Sequence, residues 1–222
     1  MPRRVAAMEI VDRDVERYMS GLLDRHSTDV LEEMEARAAV HGFPIVGRHV
    51  GVTLELLARS VGAHRVFELG SGYGYSAFWF ARAVGPGGEV HCTDGDPENA
   101  VAAEGYLVRA GLWDRVRYHV GDAVDQLGAT EGAFDIVYDD IDKHGYPAAW
   151  RASRDRIRPG GLYVCDNVLW RGWVAGHPHP DDDRPEWTEA IIEHNQLIAD
   201  DPEFVSSILP IRDGVLVALR LG

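Results

Sequence analysis

The chain has 222 residues, of which 45% are hydrophobic, and its 36 acidic and 22 basic side chains give a formal net charge of -14 at pH 7. Nucleic acid and anionic membrane surfaces would both repel such a chain, so the charge argues against these partners and favours a small molecule. The length and apolar content predict one compact domain over residues 1–222, with helices in 1–61 and an α/β core in 62–222.

The cysteines and the absence of long apolar runs bear on the compartment. Cys92 and Cys165 each fall in a predicted strand, which favours buried free thiols in a reducing cytoplasm over a disulfide framework. The sequence contains no run of about 18 apolar residues and no signal-peptide pattern at its start. We therefore expect a cytoplasmic protein without a membrane span or a secretory signal.

Apolar spacing predicts the elements in chain order. Residues 8–41 predict two helices, the second capped near Ser27, Thr28 and Asp29, and a third helix follows at 48–61. Strands are then predicted near 64–69, 88–93, 115–120, 134–139, 161–165, 203–208 and 214–219, and helices near 75–84, 97–110, 122–128, 146–158 and 187–200. This alternation is typical of a mainly parallel sheet with helices on both faces, whose ligands bind beyond the carboxyl ends of the strands.

The predicted strand 134–139 ends in a group of charges. Asp139, Asp140 and Asp142 lie within four residues, where like charges repel unless a cation sits among them or some side chains turn apart into solvent. Lys143 follows them and is the only lysine in the chain. Because a lysine can lose its proton near a metal or in a desolvated site, Lys143 is a candidate general base. The alternative is an arginine-rich composition in which one lysine remains by chance.

A glycine-rich turn follows the first predicted strand. Gly70, Gly72 and Gly74 let the backbone approach a ligand that a Cβ atom would exclude. The dinucleotide pattern G-x-G-x-x-G would need glycine where the chain has Tyr75, so the turn favours a nucleoside without phosphates.

Acidic residues follow the next two predicted strands. Asp94 ends the second strand, where a carboxylate can accept hydrogen bonds from both ribose hydroxyls. Asp122 lies between Gly121 and Ala123 after the third strand, where the edge of an adenine would reach. Helix N-capping is the alternative role for both aspartates.

A carboxylate and a carboxamide, Asp166 and Asn167, follow the predicted strand 161–165. If this strand neighbours the one that ends at Asp139, the side chains of Asp140, Asp166 and Asn167 can converge on one ion. An all-oxygen ligand set favours Mg²⁺, Mn²⁺ or Ca²⁺ over Zn²⁺. An ordinary turn is the alternative interpretation of the Asp-Asn pair.

Taken together, these motifs resemble the metal-dependent O-methyltransferases that include catechol O-methyltransferase, caffeoyl-CoA O-methyltransferase and their small bacterial relatives. The resemblance covers almost the whole chain and is carried by residues 68–76, Asp94, 121–123, 138–146, 166–170 and 212–214. It implies a seven-stranded class I methyltransferase sheet of Rossmann-like type, S-adenosylmethionine as methyl donor, and a homodimer formed through the N-terminal helices.

The resemblance also implies roles for individual residues. Lys143 is implied as the base, and Asp140, Asp166 and Asn167 as the ligands of Mg²⁺ or a similar ion. Asp94 would hold the ribose, and Glu68 would lie toward the aminoacyl end of the cofactor. The residues implied around the cofactor are Val46, Glu68, Gly70, Gly72, Tyr75, Ser76, Asp94, Gly95, Asp122, Ala123 and Asp140.

The acceptor pocket cannot be inferred by analogy, because the chain departs from the bacterial pattern of the family at Asp139 and within 141–145. The irregular segment 170–186 is long enough to be an active-site loop. Its candidate acceptor contacts are Trp170, Arg171 and Trp173, since aromatic side chains can stack on a phenolic ring. Its remaining polar residues, His177, His179, Asp181, Asp182 and Asp183, are expected to be solvated, and a role for His144 stays open.

The sequence therefore predicts an S-adenosylmethionine- and divalent-metal-dependent O-methyltransferase that acts on a small aromatic molecule with two adjacent hydroxyls. The ion would orient the acceptor and lower the pKa of its hydroxyl, and Lys143 would take the proton as the oxygen attacks the methyl group. Two other functions stay open, namely a metal-independent small-molecule methyltransferase and a non-catalytic nucleoside-binding module.

Overall fold

The computed structural model describes residues 11–176 and 178–222 and is built on a seven-stranded sheet. The strands are β1 (Arg65–Leu69), β2 (Glu89–Asp94), β3 (Val116–Val120), β4 (Phe134–Asp139), β5 (Ile157–Cys165), β6 (Phe204–Leu209) and β7 (Val215–Arg220). They are ordered β3-β2-β1-β4-β5-β7-β6, with β7 antiparallel to both of its neighbours and the other pairs parallel. The predicted mainly parallel sheet is confirmed.

Helices alternate with the strands, as the apolar spacing predicted. They are α1 (Arg13–Leu22), α2 (Asp29–His41), α3 (Gly47–Ser60), α4 (Tyr75–Val84), α5 (Pro97–Arg109), α6 (Ala123–Ala129), α7 (Tyr146–Ser153) and α8 (Pro185–Ala199). Thr28 caps α2 by accepting a hydrogen bond from the Leu31 amide at 3.3 Å, and Gly42 ends the helix in the left-handed conformation with φ of 64°. This cap lies where the sequence placed it.

Two apolar clusters sandwich the sheet. Successive strand residues point to opposite faces, so Val66 packs with α2 to α5 on one face while Phe67 packs with α6 to α8 on the other. The same alternation places Ile136 and Val137 of β4 in the two clusters. Because both faces are covered, the edge at the carboxyl ends of the parallel strands is the place left for a ligand.

One predicted helix boundary is wrong. The helix predicted over 146–158 ends at Ser153, and β5 begins at Ile157 rather than at residue 161. Pro159 cannot donate a ladder hydrogen bond, and the register between β4 and β5 shifts beside it, between Phe134 and Ile136. The Arg158 Nε atom also donates to Asp135 Oδ1 at 2.5 Å, which holds this segment against β4.

Helix α1 carries an apolar stripe that the described residues leave exposed. Val15, Tyr18 and Leu22 are 49%, 70% and 57% exposed, while the Ser20 hydroxyl contacts His49 Nε2 of α3 at 2.8 Å. Residues 8–10 of the first predicted helix lie outside the described part of the chain.

No helix among the described residues is long and apolar enough to cross a membrane. Both cysteines are buried free thiols, as predicted.

Candidate functional site

A cavity of about 1340 Å³ lies beyond the carboxyl ends of β1 to β5. It includes the point between β1 and β4 where the strand order reverses, which is where open α/β sheets bind ligands. The predicted site residues that line it are Val46, Gly70, Gly72, Tyr75, Ser76, Asp94, Gly95, Asp122, Ala123, Asp140, Lys143, Asp166, Asn167, Trp170 and Arg171. The other two, Glu68 and Trp173, do not line it.

A close backbone approach shapes the turn after β1. A Cβ atom on Gly70 would lie 2.6 Å from the carbonyl oxygen of Asp140, and the φ of Gly70 is +82°, so glycine is required there. Thr93 at the end of β2 supports the turn, because its hydroxyl accepts from the Gly70 amide at 3.2 Å and donates to the Glu68 carbonyl at 2.8 Å. The sequence gives no signal for Thr93, since a threonine in a strand is common.

The two predicted ribose and adenine contacts make different local hydrogen bonds. The Asp94 carboxylate accepts from the amides of Gly72 at 3.1 Å and Asp96 at 2.8 Å, and the N-cap of α5 is Asp96 rather than Asp94. Asp122 is the N-cap of α6 and accepts from the Asp125 amide at 2.9 Å. The capping alternative therefore holds for Asp122 and fails for Asp94, although both aspartates line the cavity.

Glu68 is buried beside the cavity rather than in its wall. Its side chain is 0% exposed, and neither carboxylate oxygen has a well-formed hydrogen bond. Burial raises the pKa of Glu68 to about 7, although interactions with the hydroxyls of Ser71 and Ser76 lower it in part. Because Ser71 and Ser76 do line the cavity, the Glu68 carboxylate is an unsatisfied acceptor directly behind its wall.

Tyr75 joins the glycine turn to α2. Its hydroxyl donates to Glu35 Oε1 at 2.7 Å, and Arg48 binds both oxygens of Glu35 at 2.7 and 2.8 Å. Burial opposes ionisation of Glu35, but the hydrogen bonds from Arg48 and Tyr75 outweigh it and lower the pKa of Glu35. Glu35 lines the cavity although it lies on an N-terminal helix, so no motif around the turn reveals it.

The three crowded aspartates after β4 point in different directions. Asp139 is buried in the core, where burial raises its pKa to about 7 and the Tyr163 hydroxyl donates to it at 2.6 Å. Asp140 and Asp142 line the cavity, and Asp142 is exposed to solvent. The repulsion that pointed to a cation is relieved by these orientations, so the crowding by itself does not indicate a metal.

Lys143 lies beside Asp140 at the base of the cavity. Its Nζ atom is 3.0 Å from Asp140 Oδ1 and 3.2 Å from the Ile141 carbonyl oxygen, and it lies 4.8 Å from the centre of the Tyr146 ring. Burial lowers the pKa of Lys143, but the ion pair with Asp140 outweighs this effect and raises the pKa above its ordinary value. In this pairing Lys143 is a cation, and it becomes a base only if its hold on Asp140 weakens.

Asp166 and Asn167 follow β5, which pairs with β4 as the metal hypothesis requires. Asp166 is 3% exposed and its Oδ1 atom has no hydrogen-bond partner. Burial and the nearby charge of Asp140 raise the pKa of Asp166 to about 7. Asn167 has a φ of 56°, in the left-handed region that asparagine tolerates better than most residues. Two acidic groups and an amide thus meet at the cavity with incomplete hydrogen bonding.

An aromatic wall forms the other end of the cavity. Trp170 and Trp187 lie 5.8 Å apart between ring centroids, and the His144 ring lies 6.2 Å from Trp187. Trp173, a predicted acceptor contact, does not line the cavity: its ring is buried, with its centroid 6.2 Å from that of Trp170. Trp187 was not predicted, since it lies on α8, far along the chain from the other motifs.

The loop that precedes α8 is only partly solvated. Asp181 and Asp183 are exposed as expected, whereas His179 is half-buried and stacks on Trp173 at 6.1 Å. Asp182 is also half-buried, because it accepts from the Thr188 hydroxyl at 2.5 Å. His177 lies outside the described residues.

The turn between β6 and β7 supports the aromatic wall. A Cβ atom on Gly214 would lie 2.5 Å from Leu169, so glycine allows the two segments to meet. The Asp213 side chain accepts from the Arg171 amide at 2.5 Å, and its carbonyl accepts from the Leu169 amide at 2.9 Å. Arg212 lines the cavity and donates to the Ile45 carbonyl at 2.8 Å. The motif 212–214 therefore has a structural role beside the site.

Known proteins resemble this chain in sequence and in fold. The family model described as O-methyltransferase matches residues 24–221. A catechol O-methyltransferase from Niastella koreensis is 36% identical over 166 residues, which are 72% of this chain and 75% of that protein. A caffeoyl-CoA O-methyltransferase from Eucalyptus globulus is 28% identical over 205 residues, 86% of this chain and 82% of that protein. One similar solved structure is the O-methyltransferase TomG from Streptomyces achromogenes, which is involved in tomaymycin synthesis and was solved with S-adenosylmethionine. Its TM-score is 0.84 at 29% identity, and the match covers 94% of this chain and 96% of that chain.

Proposed function

The chain belongs to the O-methyltransferase family and is an S-adenosylmethionine-dependent O-methyltransferase, and we propose that it methylates one hydroxyl of a small catechol-like molecule with the help of a divalent ion. One observation carries the proposal. Asp140, Lys143, Asp166 and Asn167 meet at the cavity between the glycine turn and the aromatic wall. Oxygen ligands and a candidate base therefore lie where an acceptor would meet the methyl donor.

The residues after β4 and β5 fit a hard divalent cation. The Asp166 Oδ1 atom is buried without a partner, and burial together with the charge of Asp140 raises the pKa of Asp166. A cation held by Asp140, Asp166 and Asn167 would remove both costs, and these oxygen donors suit Mg²⁺, Mn²⁺ or Ca²⁺. When bound, the ion would supply positive charge that lowers the pKa of the acceptor hydroxyl and competes with Lys143 for Asp140.

The residues after β1 and β2 fit the methyl donor. Asp94 faces the cavity as a carboxylate whose present donors are two backbone amides and Asn99, and it can accept from ribose hydroxyls. The Glu68 carboxylate lies behind Ser71 and Ser76 and lacks hydrogen-bond partners. It is therefore suited to interact with the cationic aminoacyl end of S-adenosylmethionine. Gly70 keeps the turn open for close approach.

Lys143 is the proposed base. Its Nζ atom, neutral when it acts, accepts the proton of the acceptor hydroxyl while that oxygen attacks the methyl carbon in line with the departing sulfur. The methyl–oxygen bond forms as the methyl–sulfur bond breaks, so no covalent intermediate with the protein is needed. Tyr146 helps to position Lys143 and Asp166, because its ring lies beside Lys143 and its hydroxyl donates to the Asp166 carbonyl at 2.8 Å.

A substrate comparison with and without chelator tests the proposal. With Mg²⁺ saturating, a catechol should exceed its two monohydroxy analogues in kcat/KM by orders of magnitude, because one hydroxyl cannot be oriented through a neighbouring oxygen. Excess chelator should abolish turnover and added Mg²⁺ or Mn²⁺ should restore it. Full turnover in chelator would instead support the metal-independent alternative, for which the existing Lys143–Asp140 ion pair offers some support.

We also propose that the protein is a homodimer formed through α1. The stripe of Val15, Tyr18 and Leu22 is exposed in the single chain, and a second copy would bury it. Light scattering at micromolar concentration should give twice the 24.6 kDa chain mass. Tyr18→Glu should shift the protein toward a monomer, and a monomeric mass for the unaltered protein would contradict the proposal.

A further inference from the structure

The acceptor end of the cavity holds a group of cations in a strongly acidic chain. Lys143, Arg171, Arg184 and Arg212 all line the cavity, although the net charge is -14. Lys143 is paired with Asp140 at 3.0 Å, and Arg212 lowers the pKa values of Asp140 and Asp166 through its charge. These two cations are therefore matched with the acids at the base of the cavity, and the charge of Arg171 acts on Asp213, which leaves Arg184 to be explained.

The Arg184 guanidinium lies over an aromatic ring and forms no ion pair with the described residues. Its guanidinium carbon lies 4.4 Å from the centre of the Trp187 ring, and Trp187 also lines the cavity. Among the described residues, no carboxylate oxygen lies within 4.0 Å of the Arg184 guanidinium. The nearby Asp182 carboxylate is already used, since it accepts from the Arg184 amide at 3.0 Å and from the Thr188 hydroxyl at 2.5 Å.

Arg171 is held at the same wall by an unusual backbone. Trp170 and Arg171 both have left-handed φ angles, 44° and 56°, which residues other than glycine rarely adopt. Asp213 fixes this turn by accepting from the Arg171 amide at 2.5 Å. The Arg171 guanidinium lies 5.2 Å from the ring centre of the buried Trp173 and 5.9 Å from that of Trp170, so it sits at the edge of the cavity wall.

From this arrangement, and resting on the proposed function, we propose that the acceptor is a catechol that carries an anionic substituent such as a carboxylate. The substituent binds Arg184, with Arg171 as a second cation, while the ring lies against Trp170 and Trp187. A guanidinium held on an indole ring is well placed to bind a carboxylate through two parallel hydrogen bonds. The overall negative charge of the protein repels such a molecule, so local arginines are needed to admit it.

Matched ligands that differ only in charge test this inference. 3,4-Dihydroxybenzoate and 3,4-dihydroxybenzamide are compared, as are the acid and amide of 3-(3,4-dihydroxyphenyl)propanoate, which extend the charge further from the ring. Dissociation constants are measured by calorimetry with Mg²⁺ and S-adenosylhomocysteine present, and kcat/KM is measured with S-adenosylmethionine. The acid of at least one pair should bind about tenfold more tightly than its amide and show the same preference in kcat/KM.

Variants then assign the preference to Arg184. Arg184→Gln should remove the preference by weakening the acid much more than the amide, and Arg184→Lys should restore part of the preference because the charge returns. Arg151→Gln is the matched control, since Arg151 pairs with Glu193 at 2.6 Å and does not line the cavity. Unaltered S-adenosylhomocysteine affinity in each variant confirms that the fold is intact.

The outcomes separate this inference from the proposed function. Equal binding of acid and amide in both pairs, with both methylated, overturns the anionic acceptor and leaves the catechol proposal standing. An acid preference that survives Arg184→Gln overturns the role of Arg184. Failure of every catechol to bind or react overturns the proposed function, and the anionic acceptor that rests on it falls as well.

Discussion

The two ends of the cavity are built in different ways. The cofactor end consists of backbone turns and side chains that follow directly after β1, β2 and β3, such as Gly70 and Asp94. The acceptor end combines side chains from separate segments, with Trp170 after β5, Trp187 on α8 and Arg212 between β6 and β7. The first end is therefore fixed by the sheet itself, whereas the second depends on how distant segments pack.

The difference shows in what holds each end in place. The amides of Gly70 and Gly72 donate to Thr93 and Asp94, which joins the glycine turn directly to the end of β2. At the acceptor end, α8 is anchored through His194, which lies 3.0 Å from the Tyr163 hydroxyl, and through Asn195, which donates to the Val168 carbonyl at 2.9 Å. We expect substitutions at the cofactor end to act on the donor and those at the acceptor end to act on the substrate.

The largest effect is expected at Lys143, where the two ends meet. Lys143→Arg keeps a positive charge next to Asp140 but removes an accessible neutral form, so kcat should fall by about 10² to 10⁴. Calorimetry should show cofactor affinity within a factor of about two of the unaltered protein, because the ion pair with Asp140 is preserved. Near-normal kcat would show that Lys143 orients the acceptor and that another group takes the proton.

The contrast between the ends also explains what could be predicted from sequence. The sheet, the glycine turn and Asp94 follow from patterns within short stretches, because residues after parallel strands must share one edge of the sheet. Trp187 and Glu35 lie on helices whose spacing predicts burial but gives no information about the cavity they line. The burial of Trp173 could not be predicted, because the composition of its loop does not reveal which of the two tryptophans, Trp170 or Trp173, is buried.

The anchor of α8 should respond to pH through His194. Burial lowers the pKa of His194 to about 4, so the unfolded chain binds a proton near pH 6 that the folded chain does not. The stability contributed by the neutral imidazole is present at pH 7 and is lost as the pH falls from about 6.5 toward 4. The cost of His194→Gln, measured by urea unfolding, should therefore be smaller at pH 5 than at pH 7 by on the order of 2 kcal/mol.

Comparing the variant with the unaltered protein at each pH is essential in this test. Burial raises the pKa of Asp139, Glu68 and Asp166 to about 7, and each of these groups changes stability in the opposite direction over the same range. The contributions of Glu68 and Asp166 cancel when the difference between the two proteins is taken, whereas that of Asp139 does not, because the Tyr163 hydroxyl contacts both Asp139 and His194. An equal cost at both pH values would show that His194 does not titrate with a lowered pKa.

A smaller effect is expected at Asp94. If Asp94 accepts charge-assisted hydrogen bonds from the ribose as proposed, Asp94→Ala should lower S-adenosylmethionine affinity about tenfold in calorimetry. Asp96→Ala is the matched control, because Asp96 caps α5 and its loss should reduce stability by about 1 kcal/mol with little change in affinity. Similar affinity losses in both variants would mean that Asp94 acts by shaping the turn rather than by binding the ribose.

The smallest effect is expected at Trp187, because an indole ring can offer the acceptor stacking but no charged contact. Trp187→Leu removes a ring that lies 5.8 Å from Trp170 and carries Arg184 at 4.4 Å, so the acceptor KM should rise by about three- to tenfold. The cofactor affinity should not change, because Trp187 belongs to the acceptor end alone. Trp187→Phe keeps a ring and should recover most of the loss. Trp173→Leu supplies the contrast, since the loss of this buried ring should lower the melting temperature instead. If Trp187→Leu weakened the cofactor as strongly as the acceptor, the two ends of the cavity would be coupled, and the division drawn from their construction would fail.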